Sequence, residues 1–587
     1  MSYMDKKLLD KFNTYIDEQK VNSWADIASL LNNITQKTFS PSCYTAEEFD
    51  ELITSGISFL TFEFGIDGVS IEMAKYAKVL EDVFSTQTKK LPVSFIGGEF
   101  KPEAKSVLDD HWERLEIEGF NGWSKWGDGT IFRKLYHDPM PEDSRRSKTA
   151  SQEVWRQAVE FSKQLAEYFI KNDIHCIIPV NILSNPGNLS SALAICIVSE
   201  FLGLYVISSN HDFYWEGGKI RLERKPYEGK GVRDHFFTNH DNTPFWEVFS
   251  KVYPWQGRRW IQVNINTLQS KTLVKKFGFR RNRVFELGTS IDDSFFEDYD
   301  TNEVSSLREK MQLIFANGED KLRTTSYSKF LEDLEGWMEN QKPIFVGAKE
   351  GIEVDLSSKD IVYCLQPTRV IARKRIELDL KLFNGLMNFV PFWLKYNENN
   401  DLKLLLHITG PVPIEHEVDL QRILKEFKAT IKNLKGGVEN RVFLALSVGN
   451  EYHPAFEEKG WEPLRISDLY RLANAILFPS ETEGRGLPII ESSAVGVPIV
   501  CNKYYPESVF EEVVGEDLSE EEKIYYINFP EGDFTLDFLA ELYSVIFEKE
   551  KYNGFIEHNK RAVRMRYSQE MVQKKFEGFM NTLQALD

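Results

Sequence analysis

Two periods of apolar residues run through this chain and take turns along it. Residues 57–62 (Ile-Ser-Phe-Leu-Thr-Phe) have the spacing of a strand, Gly65 to Ser70 read as a loop, and residues 71–84 place apolar side chains at helical intervals. The same alternation returns downstream. A helical pattern over 153–172 leads into an apolar strand at 176–180 and then a polar loop, 181–188. The longest apolar run, 189–207, is interrupted by Ser190, Ser191, Ser199 and Glu200 and divides at Gly203, which predicts a buried helix and a strand rather than a membrane span.

A second series of strands is predicted at 361–366, 402–408, 442–446 and 475–478. The last of these passes through a polar loop into a helix at Pro488, where proline forfeits no hydrogen bond, and Gly496 supplies the stop before a strand at 497–501. Strands alternating with helices, twice over, predict an α/β protein with two Rossmann-like, doubly wound domains. Residues 1–50, with Leu8, Leu9, Phe12 and Tyr15 on one helical face and Trp24, Ile27, Leu30 and Leu31 on another, read as a helical N-terminal extension. The expected boundaries are 51–295 for the first domain, 296–342 for an acidic linker, 343–565 for the second domain and 566–587 for a closing amphipathic helix. Residues 99–150, rich in charge, glycine and tryptophan (Trp112, Trp123, Trp126), read as an insertion in the first domain.

The chain's 587 residues exceed what one core accommodates. With Lys+Arg 71 against Asp+Glu 90, the net charge of -19 offers no general attraction to nucleic acid or anionic lipid. Five scattered cysteines, Cys43, Cys176, Cys196, Cys364 and Cys501, show no metal-type spacing and fit reduced thiols in a cytoplasmic protein. No metal site and no transmembrane segment are expected; homo-oligomerisation is left open.

Candidate chemistry concentrates after the strands. In Ser480-Glu481-Thr482-Glu483-Gly484-Arg485-Gly486-Leu487-Pro488 a glycine-bearing loop meets a helix N-terminus, so that the N–H groups of Gly484 to Leu487 converge on one point suited to a phosphate. Glu483 in the loop and Glu491, read here as lying in the first turn of the helix, are suited to sugar hydroxyls. After the strand at 361–366, Arg369, Arg373, Lys374 and Arg375 place four cations in seven residues, the dense positive environment a departing pyrophosphate requires. His211 directly follows the strand that ends at Ser209, where ligand crevices of such sheets lie. His235 and His240 stand in a charged loop and read as solvated or packed within it.

The run Ser-x-x-Glu-Gly-x-Gly-Leu-Pro, its two glutamates separated by seven residues and followed by Ala-x-Gly-x-Pro, closely resembles the signature of retaining, nucleotide-sugar-dependent glycosyltransferases of family four, among them the sucrose-phosphate-synthase-like enzymes. The resemblance implies the GT-B fold, with the two domains facing across a cleft, the first taking the acceptor and the second the donor, and the last helix crossing back to the first domain. By this likeness Arg369 and Lys374 match the diphosphate-binding cations, His211 lies near the transferred sugar, and Gly68 and Val69 stand where the family's first glycine-rich loop faces the donor. Glu483 would hold the donor sugar and Glu491 the ribose, beside the donor-binding run Gly484, Arg485, Gly486 and Leu487. Arg485 replaces an aromatic residue of many relatives, leaving acceptor contact and plain solvation both open.

The function so implied is metal-independent transfer of a hexosyl group from a nucleoside-diphosphate sugar, as co-substrate, to a small carbohydrate or polyol, with retention of configuration and no other cofactor. Two alternatives stay open: a retaining disaccharide phosphorylase of the same fold, and a noncatalytic nucleotide- or carbohydrate-binding protein.

Overall fold

The computed structural model describes residues 4–34, 45–85, 89–121, 130–220, 223, 225, 229–317, 319, 321–413, 416–434, 436–449 and 451–586. It forms two compact units, Met1–Ser290 with Glu570–Asp587, and Ile291–Gln569.

The first unit is built on β1 (Ile57–Leu60), β2 (Val93–Gly97), β3 (Glu113–Glu116), β4 (Cys176–Pro179), β5 (Tyr205–Asn210), β6 (Trp260–Asn264) and β7 (Val284–Glu286). All pairs are parallel, in the order β3-β2-β1-β4-β5-β6-β7. Ile57 therefore pairs with Val93 on one side and Cys176 on the other. Central strands of such a sheet are covered on both faces: Phe59 joins one apolar cluster and Leu60 the other. The apolar run after residue 188 resolves as the buried helix Leu189–Leu202, stopped by Gly203 at φ 67°, and then β5. Among the described residues no helix is long and apolar enough to cross a membrane.

The N-terminal segment is part of this core rather than an extension from it. Helices Lys6–Asp17 and Trp24–Ile34 bury Phe12, Ile16, Trp24, Ile27 and Leu31 in the cluster that holds Leu60, with Phe12 edge-on to Phe201 and Trp24 edge-on to Phe245, each pair 5.1 Å apart. Helix Ala46–Ile53, closed by a reciprocal Thr45–Glu48 cap, sets Phe49 against Tyr205 on the other face. Residues 99–150 likewise contribute to the sheet: β3 is its edge strand, and Trp112 is buried 5.1 Å from Phe95. The alternating charges of Glu113-Arg114-Leu115-Glu116 suit an edge, which is why the segment reads as an excursion in sequence. Trp123 and Trp126 lie outside the described residues.

The second unit carries β8 (Thr325–Ser326), β9 (Ile344–Gly347), β10 (Ile361–Gln366), β11 (Lys403–Thr409), β12 (Val442–Ser447), β13 (Ala475–Phe478), β14 (Ile499–Cys501) and β15 (Ile527–Asn528). Their order is β15-β14-β13-β10-β11-β12-β9-β8. β10 to β15 are parallel and repeat the strand order of the first sheet, and β9 runs antiparallel along β12. Residues 296–342, expected as a linker, belong to this unit. Helix Thr301–Ala316 is capped by Asp300 and Glu303 and buries Leu307, Met311, Ile314 and Phe315. Its acidic residues mask an apolar stripe at helical spacing, and it is the stripe that decides where the helix packs.

The last helix, Gln569–Gln584, sets Val572, Phe576, Phe579 and Met580 into the first unit's core, with Phe576 5.3 Å from Tyr76 and Phe579 5.3 Å from Phe285. Cys176, Cys196, Cys364 and Cys501 are buried, unbridged thiols, and burial pushes Cys176 up to about 12. Cys43 is outside the described residues.

If the N-terminal helices complete the core, Trp24→Ala lowers unfolding free energy by about 3–5 kcal/mol. Urea denaturation checks this, and a change under ~1 kcal/mol would return the segment to the status of an extension.

Candidate active site

In a doubly wound sheet the crossovers on either side of the central strand pair leave in opposite directions, so a crevice opens beyond their carboxyl ends. In the second unit those strands are β10 and β13. Residues 367–375 follow β10, and residues 479–486 follow β13.

The first loop starts from a fixed base. Thr368 Oγ1 donates to Gln366 Oε1 at 3.0 Å, and Gln366 Nε2 donates to Asp379 Oδ2 at 2.9 Å. Asp379 is wholly buried, and burial holds its carboxyl far above the usual carboxylate range. Gly410, at φ 151°, lets the backbone press in: a Cβ there would sit 2.7 Å from the Thr368 carbonyl.

The loop's four cations divide by task. Arg375, itself left-handed at φ 51°, donates through Nε to the Pro479 carbonyl at 2.8 Å and grips Glu531 with two nitrogens at 2.9 and 3.0 Å. Arg373 donates to the Thr482 carbonyl and lies 3.3 Å from Glu483 Oε2. Lys374 Nζ meets Glu483 Oε1, both side chains being 9% exposed. Burial pulls the Lys374 ammonium below the usual lysine value while the Glu483 carboxylate opposes that pull. Arg369 points outward as an exposed side chain. Of the two cations singled out from sequence, the structure brings Lys374 onto Glu483, and Arg373 joins it in place of Arg369.

Backbone bonds stitch the second loop to its neighbours: Glu481 N to the Arg373 carbonyl at 2.8 Å, Glu483 N to the Tyr505 carbonyl at 3.0 Å, and Tyr505 N to the Glu481 carbonyl at 2.8 Å. Gly486 then turns the chain at φ 62° into helix Leu487–Val495. A Cβ at this position would lie 2.2 Å from the Tyr504 hydroxyl, so glycine is required by both conformation and space. No side chain caps this helix, which leaves its N-terminus, preceded in the same loop by Glu483, suited to an external anion. Glu491 is corrected by one turn. The helix begins at Leu487, its first turn has no acidic residue, and the Glu491 carboxylate accepts from the Tyr470 hydroxyl at 2.7 Å.

In the first unit the equivalent strands are β1 and β4, and beyond them lies a cavity of about 210 Å³ lined by Thr61, Gly65, Val69, Lys101 and Asn181 among others. Gly68 and Val69, expected in a loop, instead form the first turn of helix Gly68–Phe84. Asp67 caps it, with Oδ1 accepting from Val69 N at 2.8 Å and Ser70 N at 3.0 Å. The chain's own carboxylate thus occupies the N-terminal position that a phosphate would take. Nothing lies within 4 Å of a Cβ placed on Gly68, so that surface is open.

His211 follows β5 directly and is 9% exposed. Gln269 Nε2 donates to its carbonyl at 3.0 Å and to Glu216 Oε1 at 3.1 Å, while Asp212 N donates to Asn181 Oδ1 at 3.0 Å. Asn181, at φ 61°, thereby connects the His211 loop to the cavity. His235 stacks on His137 at 4.9 Å, and burial lowers it to about 4. Asp292 caps the short helix Asp293–Phe296, as its place in a domain-end turn suggests. Among the described residues no group of His, Cys, Asp and Glu could hold a metal ion.

Two doubly wound sheets, each with chemistry-bearing loops at its central crevice, give the two-domain α/β architecture of the GT-B fold. The chain is similar to the mannosylglucosylglycerate synthase of Petrotoga mobilis, 23% identical over 505 residues that cover 82% of this chain and 91% of the relative. A glycosyltransferase from Rickettsia africae shares its architecture with a TM-score of 0.50 at 12% identity, over 90% of this chain and 98% of that one. Anabaena HepE, solved with UDP and glucose, is also similar, with a TM-score of 0.48 at 11% identity, over 89% of this chain and 99% of that one. No protein-family model matches.

Sequence reading passed over Asp67, Asn181 and Tyr470. Asp67 had a local signal, an aspartate one residue ahead of a helix. Asn181 had a weaker one, since asparagine tolerates the left-handed region. Tyr470 had none, because its partner lies a strand and a loop away.

Gly486→Ala is expected to cost more than the roughly 1–2 kcal/mol of a left-handed alanine alone, and Tyr504→Phe added to it recovers part of the loss. Thermal melts check this; an unimpaired single variant refutes the close contact. In a ¹³C titration of the lysine ε-carbons, Lys374 should lose its proton below the usual lysine value, and Glu483→Gln should move it lower still, because the carboxylate is what raises it. Between its folded and unfolded pKa values the unfolded chain binds more protons, so this group makes stability rise with pH there. An unchanged or upward shift in Glu483→Gln counts against the pair.

Proposed function

We propose that the protein is a retaining, metal-independent hexosyltransferase that moves a sugar from a nucleoside diphosphate to a hydroxyl of a small carbohydrate or polyol. The observation that carries this reading is the buried contact of Lys374 with Glu483, the latter standing in a loop that leads directly to an uncapped helix N-terminus. A leaving diphosphate needs positive charge fixed in advance. In this reading Lys374, Arg373 and Arg369 supply it, with the amides of Gly484, Arg485, Gly486 and Leu487. Glu483 exchanges its cation for the hydroxyls of the donor sugar, and Glu491, already steadied by Tyr470, accepts from the ribose.

The anomeric carbon–oxygen bond breaks with its electron pair going to the diphosphate. The acceptor oxygen attacks from the same face, and its proton passes to the departing phosphate oxygen. His211 orients the transferred sugar, and the cavity beyond β1 and β4 receives the acceptor, with Gly68 and Val69 on its rim. Retention rests on the family-four resemblance of residues 480–498. Likeness to a synthase of mannosylglucosylglycerate supports a sugar as the transferred group and a small acceptor. Buried unbridged thiols fit a reducing, cytoplasmic setting.

A thermal-shift screen of UDP, GDP, ADP and inorganic phosphate tests the donor. One nucleoside diphosphate is expected to raise the melting temperature by linkage, whereas stabilisation by phosphate alone would point to a phosphorylase. With the matching sugar nucleotide, Lys374→Ala and Glu483→Ala should each lower kcat by about 10²–10³ without unfolding the protein; near-normal turnover in either removes the site assignment.

A further inference from the structure

We propose that a cavity at the amino ends of β13 and β14 in the second unit binds a small phosphate-bearing ligand, at a site separate from the donor crevice. The cavity, about 220 Å³, is lined by Arg471, Asn474, Val497, Pro498, Lys549 and Tyr552 among others. Asn474 directly precedes β13 and Pro498 directly precedes β14, whereas loops 367–375 and 479–486 leave the carboxyl ends of β10 and β13. The two sites therefore lie at opposite ends of one sheet. A volume below the roughly 300–1,000 Å³ of drug-sized ligand sites suits a small molecule.

Among the described residues, the charges left unengaged here are positive. Two carboxylates line the cavity and both are taken: Glu297 Oε2 accepts from Arg465 Nη2 at 3.1 Å, and Asp298 Oδ1 accepts from Lys560 Nζ at 2.6 Å. The Lys549 side chain, by contrast, has neither a hydrogen bond nor an ion pair among the described residues, and the same holds for Arg308. Val304 lines the cavity from helix Thr301–Ala316, and Arg308 stands four residues further along the same face. Loss of hydration at its ammonium, then the Arg308 charge, pull Lys549 below the usual lysine value. Two unpaired cations that repel one another are relieved by an anion near both.

Arg471 gives an independent sign that an acceptor is received here. Its side chain is 5% exposed, and its Nε and Nη2 are spent on the Ser294 and Glu297 carbonyls. Its Nη1 forms no hydrogen bond among the described residues. The ion-pair partner of Nη1, Asp468 Oδ1, stands 3.5 Å away and accepts from the Tyr299 hydroxyl at 3.2 Å. A buried charged donor left without an acceptor is costly unless a ligand supplies one. Arginine and lysine donors around one cavity match a phosphate group, which carries close to two charges and accepts through several oxygens at once.

Isothermal titration calorimetry of the full chain with inorganic phosphate and with glycerol phosphate tests the site and separates free phosphate from an ester. The component counted is the one kept in Lys374→Ala, which loses the donor-site cation. It should weaken at least about tenfold in Lys549→Glu and in Arg308→Glu, neither of which breaks an ion pair or side-chain hydrogen bond among the described residues. Glycerol, the uncharged counterpart, should give no such component. Absence of any component that survives Lys374→Ala, an unchanged affinity in either charge reversal, or equal binding of glycerol overturns the proposal.

Discussion

Parallel strands whose crossovers depart to opposite sides of a sheet cannot be bridged beyond their carboxyl ends, and this chain meets that constraint twice. β1 and β4 in one unit, β10 and β13 in the other, end in loops that must separate. Each separation exposes backbone that has to be satisfied or used. In the second unit the loops are tied by backbone bonds through Arg373, Glu481 and Tyr505, and the approach is close enough that Gly410 and Gly486 admit no side chain. Lys374 and Glu483 meet within that tie. Their charge pairing follows from strand order as much as from their own chemistry.

The two crevices handle a helix N-terminus in opposite ways. At Gly68–Phe84 the chain provides Asp67, whose side chain accepts from the Val69 and Ser70 amides and the Ser70 hydroxyl. At Leu487–Val495 it provides Gly486, which has no side chain to offer. One end is capped by the chain's own side chain and the other is left open.

Much of the fold was legible because central parallel strands, buried on both faces, leave unbroken apolar runs: β1, β4, β10, β11, β12 and β13 all stand where the pattern placed them. The sequence reading of 296–342 allows a helix but not its place in the second unit's core, and it leaves β3 in an insertion, because surface charge there outweighs the apolar residues between. In the site, the loop from Ser480 to Pro488 was legible because its glycines, proline and glutamates act within one short segment. The choice among Arg369, Arg373 and Lys374 was not. It depends on Glu483, which lies more than a hundred residues away in sequence, and on how deeply β10 buries the loop that follows it.

The packing of Val572, Phe576, Phe579 and Met580 against Tyr76 and Phe285 also sets an order in time. On a ribosome the strands of the first sheet emerge early, but the helix that covers part of one face is translated only after the entire second unit. The second unit is one continuous stretch and can close its core as it appears. The first must wait with apolar surface uncovered, so nascent chains are most exposed to chaperones and to misassociation in the half that begins to form first.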